Sequence, residues 1–200
     1  MPAEHWPTPV PEGLVRPIAA APYDGLIRDV ILATKERRQH QLVPVLAAHI
    51  AAAASAHRLR GPVVLVPVPS RAVTVAERGL DTTAASTRRA AHVLRRAGAD
   101  AAYAPLLTVR GGVVDQAGLS APERAANLDR AFTCPSHRLR LLAARTPVAH
   151  VLVCDDVITS GATAREAQRA LDAVGLPVKG IAAIAATQKR KTLGLASARD

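Results

Sequence analysis

Asp155 and Asp156 stand side by side after the apolar run Val151-Leu152-Val153-Cys154, and Val157-Ile158 leads from them into Thr159-Ser160-Gly161-Ala162-Thr163. Adjacent carboxylates repel each other, so an ordinary turn gains little from them. They suit a ligand that brings hydroxyl donors or a metal. The five residues from Thr159 to Thr163 offer hydroxyls and successive backbone N–H groups without bulky side chains. Gly161 can adopt positive φ and let a ligand reach the backbone. An Ala-rich helical pattern begins at the same place, and the unpaired amides and dipole of a helix start favour an anion, most often a phosphate. Hydroxyl recognition beside phosphate recognition is the chemistry of a ribose phosphate.

These residues need a scaffold that holds a strand end against a helix start. Residues 148–154 read as a buried strand, and residues 162–174 as the helix behind the turn, with Ala164, Ala167, Leu171 and Val174 inward and Gly175 closing it. Residues 63–69 form a second continuous apolar run, as in a strand covered on both faces, with Pro67 and Pro69 marking its end. Residues 70–79 then read as a loop at the ligand edge carrying Ser70, Arg71, Glu77 and Arg78, ahead of a helix over 81–96. Arginines there either grip a diphosphate bidentately or are simply solvated. Upstream, residues 1–13 are Pro-rich and read as extended or disordered, and residues 14–20 as a short strand. Asp24 is placed to cap a helix with Leu26, Ile27, Val30 and Ile31 on one face. Its terminal cluster Lys35, Arg37 and Arg38 reads as a solvated last turn. Residues 42–57 predict a helix with Pro44 in its first turn, and His49 and His57 read as surface or packed side chains. Residues 101–109 suggest an edge strand, Gly111-Gly112 opens a loop, and Ser120-Ala121-Pro122-Glu123 is a capping box for a short helix. A short helix or connection over 138–145 and a buried strand over 178–186 complete the pattern, and residues 188–200 read as a flexible basic tail. Alternating strands and helices predict an α/β domain over 14–187, a parallel sheet flanked by helices.

Composition narrows the function. Two hundred residues, 49% of them apolar, suit one globular domain. The formal charge of +10 raises nucleic acid as a partner, but the arginines are dispersed. One Trp, one Phe and two Tyr make no stacking platform for bases. A basic surface drawing in a small polyanion is the more economical account, with nucleic acid a poor candidate for direct ligand. The apolar stretch 42–56 is too short and too Ala-rich to span a bilayer, and no basic start followed by an apolar run suggests a leader. Cytoplasm is the expectation, and the oligomeric state is left open. Cys134 and Cys154 are far apart, have no ligand-spaced partners and read as structural.

The stretch 151–163 resembles the signature of type I phosphoribosyltransferases. Two further blocks sharpen the likeness: Val66-Pro67-Val68-Pro69 with Arg78-Gly79, and Asp115-Gln116-Ala117-Gly118-Leu119-Ser120 with Arg124, Asn127 and Ala131-Phe132. Together they resemble the ComF family of competence-related, phosphoribosyltransferase-like proteins. The resemblance implies a phosphoribosyltransferase-like core that binds phosphoribosyl pyrophosphate (PRPP). Asp155 and Asp156 would hold the ribose and stabilise its charge, residues Thr159, Ser160, Gly161, Ala162 and Thr163 would hold the 5′-phosphate, and Arg78, Arg71 and Ser70 would face the pyrophosphate. Gln116, Arg124 and Asn127 fall on the family's marker beside a flexible loop, and Lys35 on a helix with a basic residue near the site. Mg²⁺ would arrive with PRPP and take no direct protein ligand. The four-cysteine zinc module common in the family has no counterpart here, so zinc is not carried over. Thr74, Ala76 and Leu80-Asp81 stand where the family is more basic or carries Asn, thinning the cations on the pyrophosphate side. The resemblance thus implies either phosphoribosyl transfer to an acceptor with release of pyrophosphate, or a PRPP or nucleotide sensor of the DNA-uptake type.

Overall fold

Residues 1–110, 130–146 and 148–187 are described by the structure, a computed structural model. The elements are β1 (Ala3–Glu4), β2 (Pro17–Pro22), α1 (Gly25–Glu36), a 3₁₀ turn (His40–Leu42), α2 (Val43–Ser55), β3 (Val63–Pro67), α3 (Ala72–Arg78) and α4 (Thr82–Arg96). There follow β4 (Ala101–Tyr103), β5 (Thr108–Val109), β6 (Phe132–Thr133), α5 (Ser136–Arg145), β7 (His150–Ile158), α6 (Ala162–Asp172) and β8 (Val178–Ala186). Gln116, Arg124, Asn127, the expected helix after Ser120 and the basic tail lie outside the described residues.

The main sheet has six strands in the order β1-β2-β8-β7-β3-β4, parallel throughout except for the antiparallel pair β1-β2. A small antiparallel ribbon, β5-β6, stands apart from it. Buried parallel strands need apolar residues on both faces, which is why the runs at β3 and β7 lack polar alternation. Two apolar layers result. Ile31, Leu46, Ile50 and Leu94 from α1, α2 and α4 cover one face with Leu65, Leu152 and Ile184. Ala164, Ala167 and Leu171 of α6, with Phe132, cover the other against Val64, Val153 and Ile181. Helices on both faces of a mostly parallel sheet make this an α/β architecture.

The close fit of α2 on β8 and β2 follows from alanine on both sides, with Ala47, Ala51, Ala54, Ala182 and Ala185 all buried. His57, just past α2, completes the layer. It is 7% exposed, and its Nε2 lies 3.0 Å from the Ile181 carbonyl. A methyl at Gly180 would come within 2.1 Å of its ring. The packed reading of this histidine holds, and burial keeps its pKa below the ordinary value.

Residues 1–13 are extended and also anchored. β1 pairs with β2, and Arg165 Nε donates to the Glu12 carbonyl at 2.7 Å. Gln168 accepts from Val15 N at 3.1 Å and donates to Gly13 O at 2.9 Å. Among the described residues no helix is long and apolar enough to cross a membrane.

Candidate functional site

Strand order decides where a ligand can enter. From β3 the chain crosses to β4 on one side, and from β7 it crosses to β8 on the other. The crevice outside the carboxyl ends of two strands whose connections diverge is the usual ligand position in open α/β sheets. Here that crevice opens between β3 and β7.

The two strands end at different heights. Pro67–Cys154 is the last pair between them, and Val68 N donates to Cys154 O at 2.9 Å. β7 runs on to Ile158 beside β8 alone, pairing Asp155 with Ala183 and Ile158 with Ala186. The strand therefore extends past Cys154, where the sequence had placed its end, and carries both acids within it. Each carboxylate bonds the amide that follows it: Asp156 N donates to Asp155 Oδ1 at 2.8 Å, and Val157 N to Asp156 Oδ1 at 2.7 Å. These local bonds give the two acids backbone partners within the strand.

Asp155 is 7% exposed, and burial pushes its pKa up to about 6 despite the pull of nearby Lys35. Lys35, on the last turn of α1, forms an ion pair with Asp156. It belongs to the site and not to a solvated turn: α1 packs on the sheet through Ile31 and delivers the next turn's ammonium to the strand end. Burial lowers its pKa to about 8, against the opposing effect of Asp155. Arg78 is close enough to lower it further, and Asp81 and Glu36 raise it. Two acids and two cations thus converge from three parts of the chain.

Residues 70–79 depart from the expected loop. Ala72–Arg78 is a helix, closed by Gly79 at φ +75° with its amide on the Val75 carbonyl. The run Ala72-Val-Thr-Val-Ala-Glu-Arg contains no breaker, and the following glycine supplies the left-handed stop. Arg78 is in its last turn, while Ser70 and Arg71 lead out of β3 at the same edge, half-buried. The next helix starts as expected, with Asp81 Oδ1 accepting from Ala84 N at 2.9 Å.

Thr159 and Ser160 are exposed at the turn, and Ala162 and Thr163 are half-buried. The first bond of α6 runs from Arg165 N to Gly161 O, so the amides of Ala162, Thr163 and Ala164 precede its ladder. Ala162 N makes only a long 3.4 Å contact with Ser160 Oγ. Gly161 does adopt φ +74°. Its open side, however, faces protein: a Cβ there would lie 2.8 Å from Pro7 and 3.2 Å from Leu14. The glycine admits the N-terminal segment, and what the turn offers an anion is its amides and hydroxyls.

Both cysteines are buried and free. Cys154 is fully enclosed beneath the acids, and burial raises its thiol pKa far above the ordinary value, as suits a structural role. No cluster of three or more His, Cys, Asp or Glu with metal-holding geometry occurs among the described residues. No family model matches this chain, and neither does any curated protein.

Proposed function

We propose that this chain binds PRPP at the carboxyl ends of β3 and β7 and transfers its phosphoribosyl group to an acceptor, releasing pyrophosphate. The observation that carries the reading is the paired acids of β7 projecting beyond β3, directly ahead of the α6 amides, with Lys35 and Arg78 beside them. In this reading the core is of the type I phosphoribosyltransferase kind, the chain is a ComF-like protein, and the compartment is the cytoplasm. The 5′-phosphate sits on residues 159–163, where helix-start amides and hydroxyls meet it. Asp155 and Asp156 face the ribose hydroxyls and favour the positive charge that develops on the ring as the leaving group departs. Arg78, with Arg71 and Ser70, holds the pyrophosphate. Two carboxylates without a third ligand suit Mg²⁺ carried on the diphosphate and its waters, and the ion would neutralise the leaving group.

The Lys35–Asp156 pair favours a second reading, a PRPP or nucleotide sensor without turnover. A carboxylate already neutralised by an ammonium contributes less to a developing cation, and the segment 70–79 carries few cations of its own.

Calorimetric titration with PRPP and Mg²⁺ tests the common ground: absence of binding at millimolar ligand sinks both readings. Asp156→Asn should weaken PRPP at least about tenfold, the equivalent of about 1.4 kcal/mol, while the chain keeps its fold by circular dichroism. An unchanged affinity counts against the site. Pyrophosphate release across a panel of bases and amines then separates transfer from sensing, since tight binding with no release selects the sensor.

A further inference from the structure

A second concavity lies at the β4 edge of the sheet, between that strand and α5, with a volume of about 690 Å³. That is the size of a small-molecule site, and it has the composition of one, largely apolar with a few convergent polar groups. Ala102, Ala104, Leu106 and Leu142 supply apolar wall, and Tyr103 adds the half-buried aromatic ring. The polar lining is cationic: Arg95, Arg138 and Arg145 with His137, and no carboxylate among the described lining residues.

Two of the arginines are held in place by backbone. Arg138 Nη1 donates to the carbonyls of Pro105 at 2.7 Å and Leu107 at 3.0 Å, and Arg95 Nη1 donates to Ala101 O at 2.8 Å. The structure gives each guanidinium its anchor through Nη1, and the planar fork carries further donors suited to an oxyanion. Burial raises the Tyr103 pKa, so its hydroxyl stays a donor through neutral pH.

We propose that this cavity is a binding site for a small amphipathic anion, a flat or apolar body bearing one carboxylate or phosphate, separate from the acid pair of β7. The apolar wall takes the body and the arginines take the charge. Arg95 also borders a smaller hollow with Arg88, Arg89 and His92, which makes a polyanion the natural competitor.

Naphthoate is the probe, with the corresponding neutral alcohol and amine as comparisons, titrated against the whole chain by calorimetry. Naphthoate should bind saturably, and the amine at least about tenfold more weakly, the sign expected of a cationic lining. Leu141→Glu and Arg145→Glu, both at exposed positions of α5, should each weaken naphthoate at least about tenfold while PRPP titrations stay as in the parent chain. Arg145→Gln and Leu141→Gln serve if an introduced glutamate lowers the melting temperature. Equal binding of amine and carboxylate, or unchanged naphthoate affinity in all four variants, overturns the proposal. So does a short single-stranded oligonucleotide that displaces naphthoate at lower concentration than naphthoate binds, with the steep salt dependence of phosphate contacts, because the face would then be a nucleic-acid surface.

Discussion

Asp155 and Lys35 set opposite pH dependences within one cluster. The carboxyl of Asp155 is pushed up to about 6 from 3.8, so between those values the folded chain keeps a proton that the unfolded chain releases. Its contribution favours folding below the lower value and is lost as pH rises through the upper one. Lys35 is lowered to about 8 from 10.5, so stability falls as pH drops through that interval and the folded chain must hold the charge. Asp155→Asn should therefore gain on the parent chain between about pH 4 and about pH 7, by on the order of 2 kcal/mol. Thermal melts of both proteins across that range check this, and an offset that does not vary with pH would refute it. The acids and the turn were legible from residue types alone, because adjacent carboxylates before small hydroxyl residues have few structural uses. Lys35 was not legible from its surroundings: a basic residue at a helix C-terminus is ordinarily solvated, and only the resemblance pointed to it.

Strand β7 shows what a sequence conveys about an element and what it withholds. Its apolar start was readable, but its length was not, because charged residues signal a strand's end and here they remain in it, each carboxylate bonding the amide that follows it. The segment 70–79 misled in the opposite direction, since seven residues give too little periodicity to separate a short helix from a loop. Buried Glu166 of α6 gave no signal either. It accepts from Phe132 N at 2.9 Å and pairs with Arg169, fastening the β5-β6 ribbon to α6. Glu166→Ala removes the acceptor of that amide and the carboxylate partner of Arg169, which keeps its bond to the Phe132 carbonyl at 3.1 Å, and should cost about 2–4 kcal/mol, measurable by urea denaturation. On β8, Gly180→Ala should cost about 1–3 kcal/mol through overpacking on His57. Combining it with His57→Ala should recover much of that loss in a double-mutant cycle; strictly additive effects would mean that the ring is not what the methyl meets.

For the molecule as a whole, the alternation of strands and helices announced the α/β class, and the reversal of strand order at β3 and β7 gave the class its crevice. The reversal could not be read from the chain, since strand adjacency depends on which helix crosses which face. The same holds for residues 1–13. Proline content pointed to an extended segment, but not to its place on Gly161 and α6. Deleting these residues should destabilise the fold and uncover the α6 start. Faster amide exchange at residues 161–168 in the truncated chain would show it, and unchanged exchange would mean that the segment lies there without contributing.

That placement also makes the chain its own optical instrument. Trp6 is the single tryptophan, 44% exposed, with its indole N–H on Glu4 and Pro7 directly after it against Gly161. Indole emission therefore originates beside a residue packed on the turn, without any attached dye, and an anion bound at the helix start should register as a shift in intrinsic fluorescence; no shift on saturation would mean that the indole does not sense the turn. Between the indole-bearing residue and the glycine of the turn stands Pro7 alone.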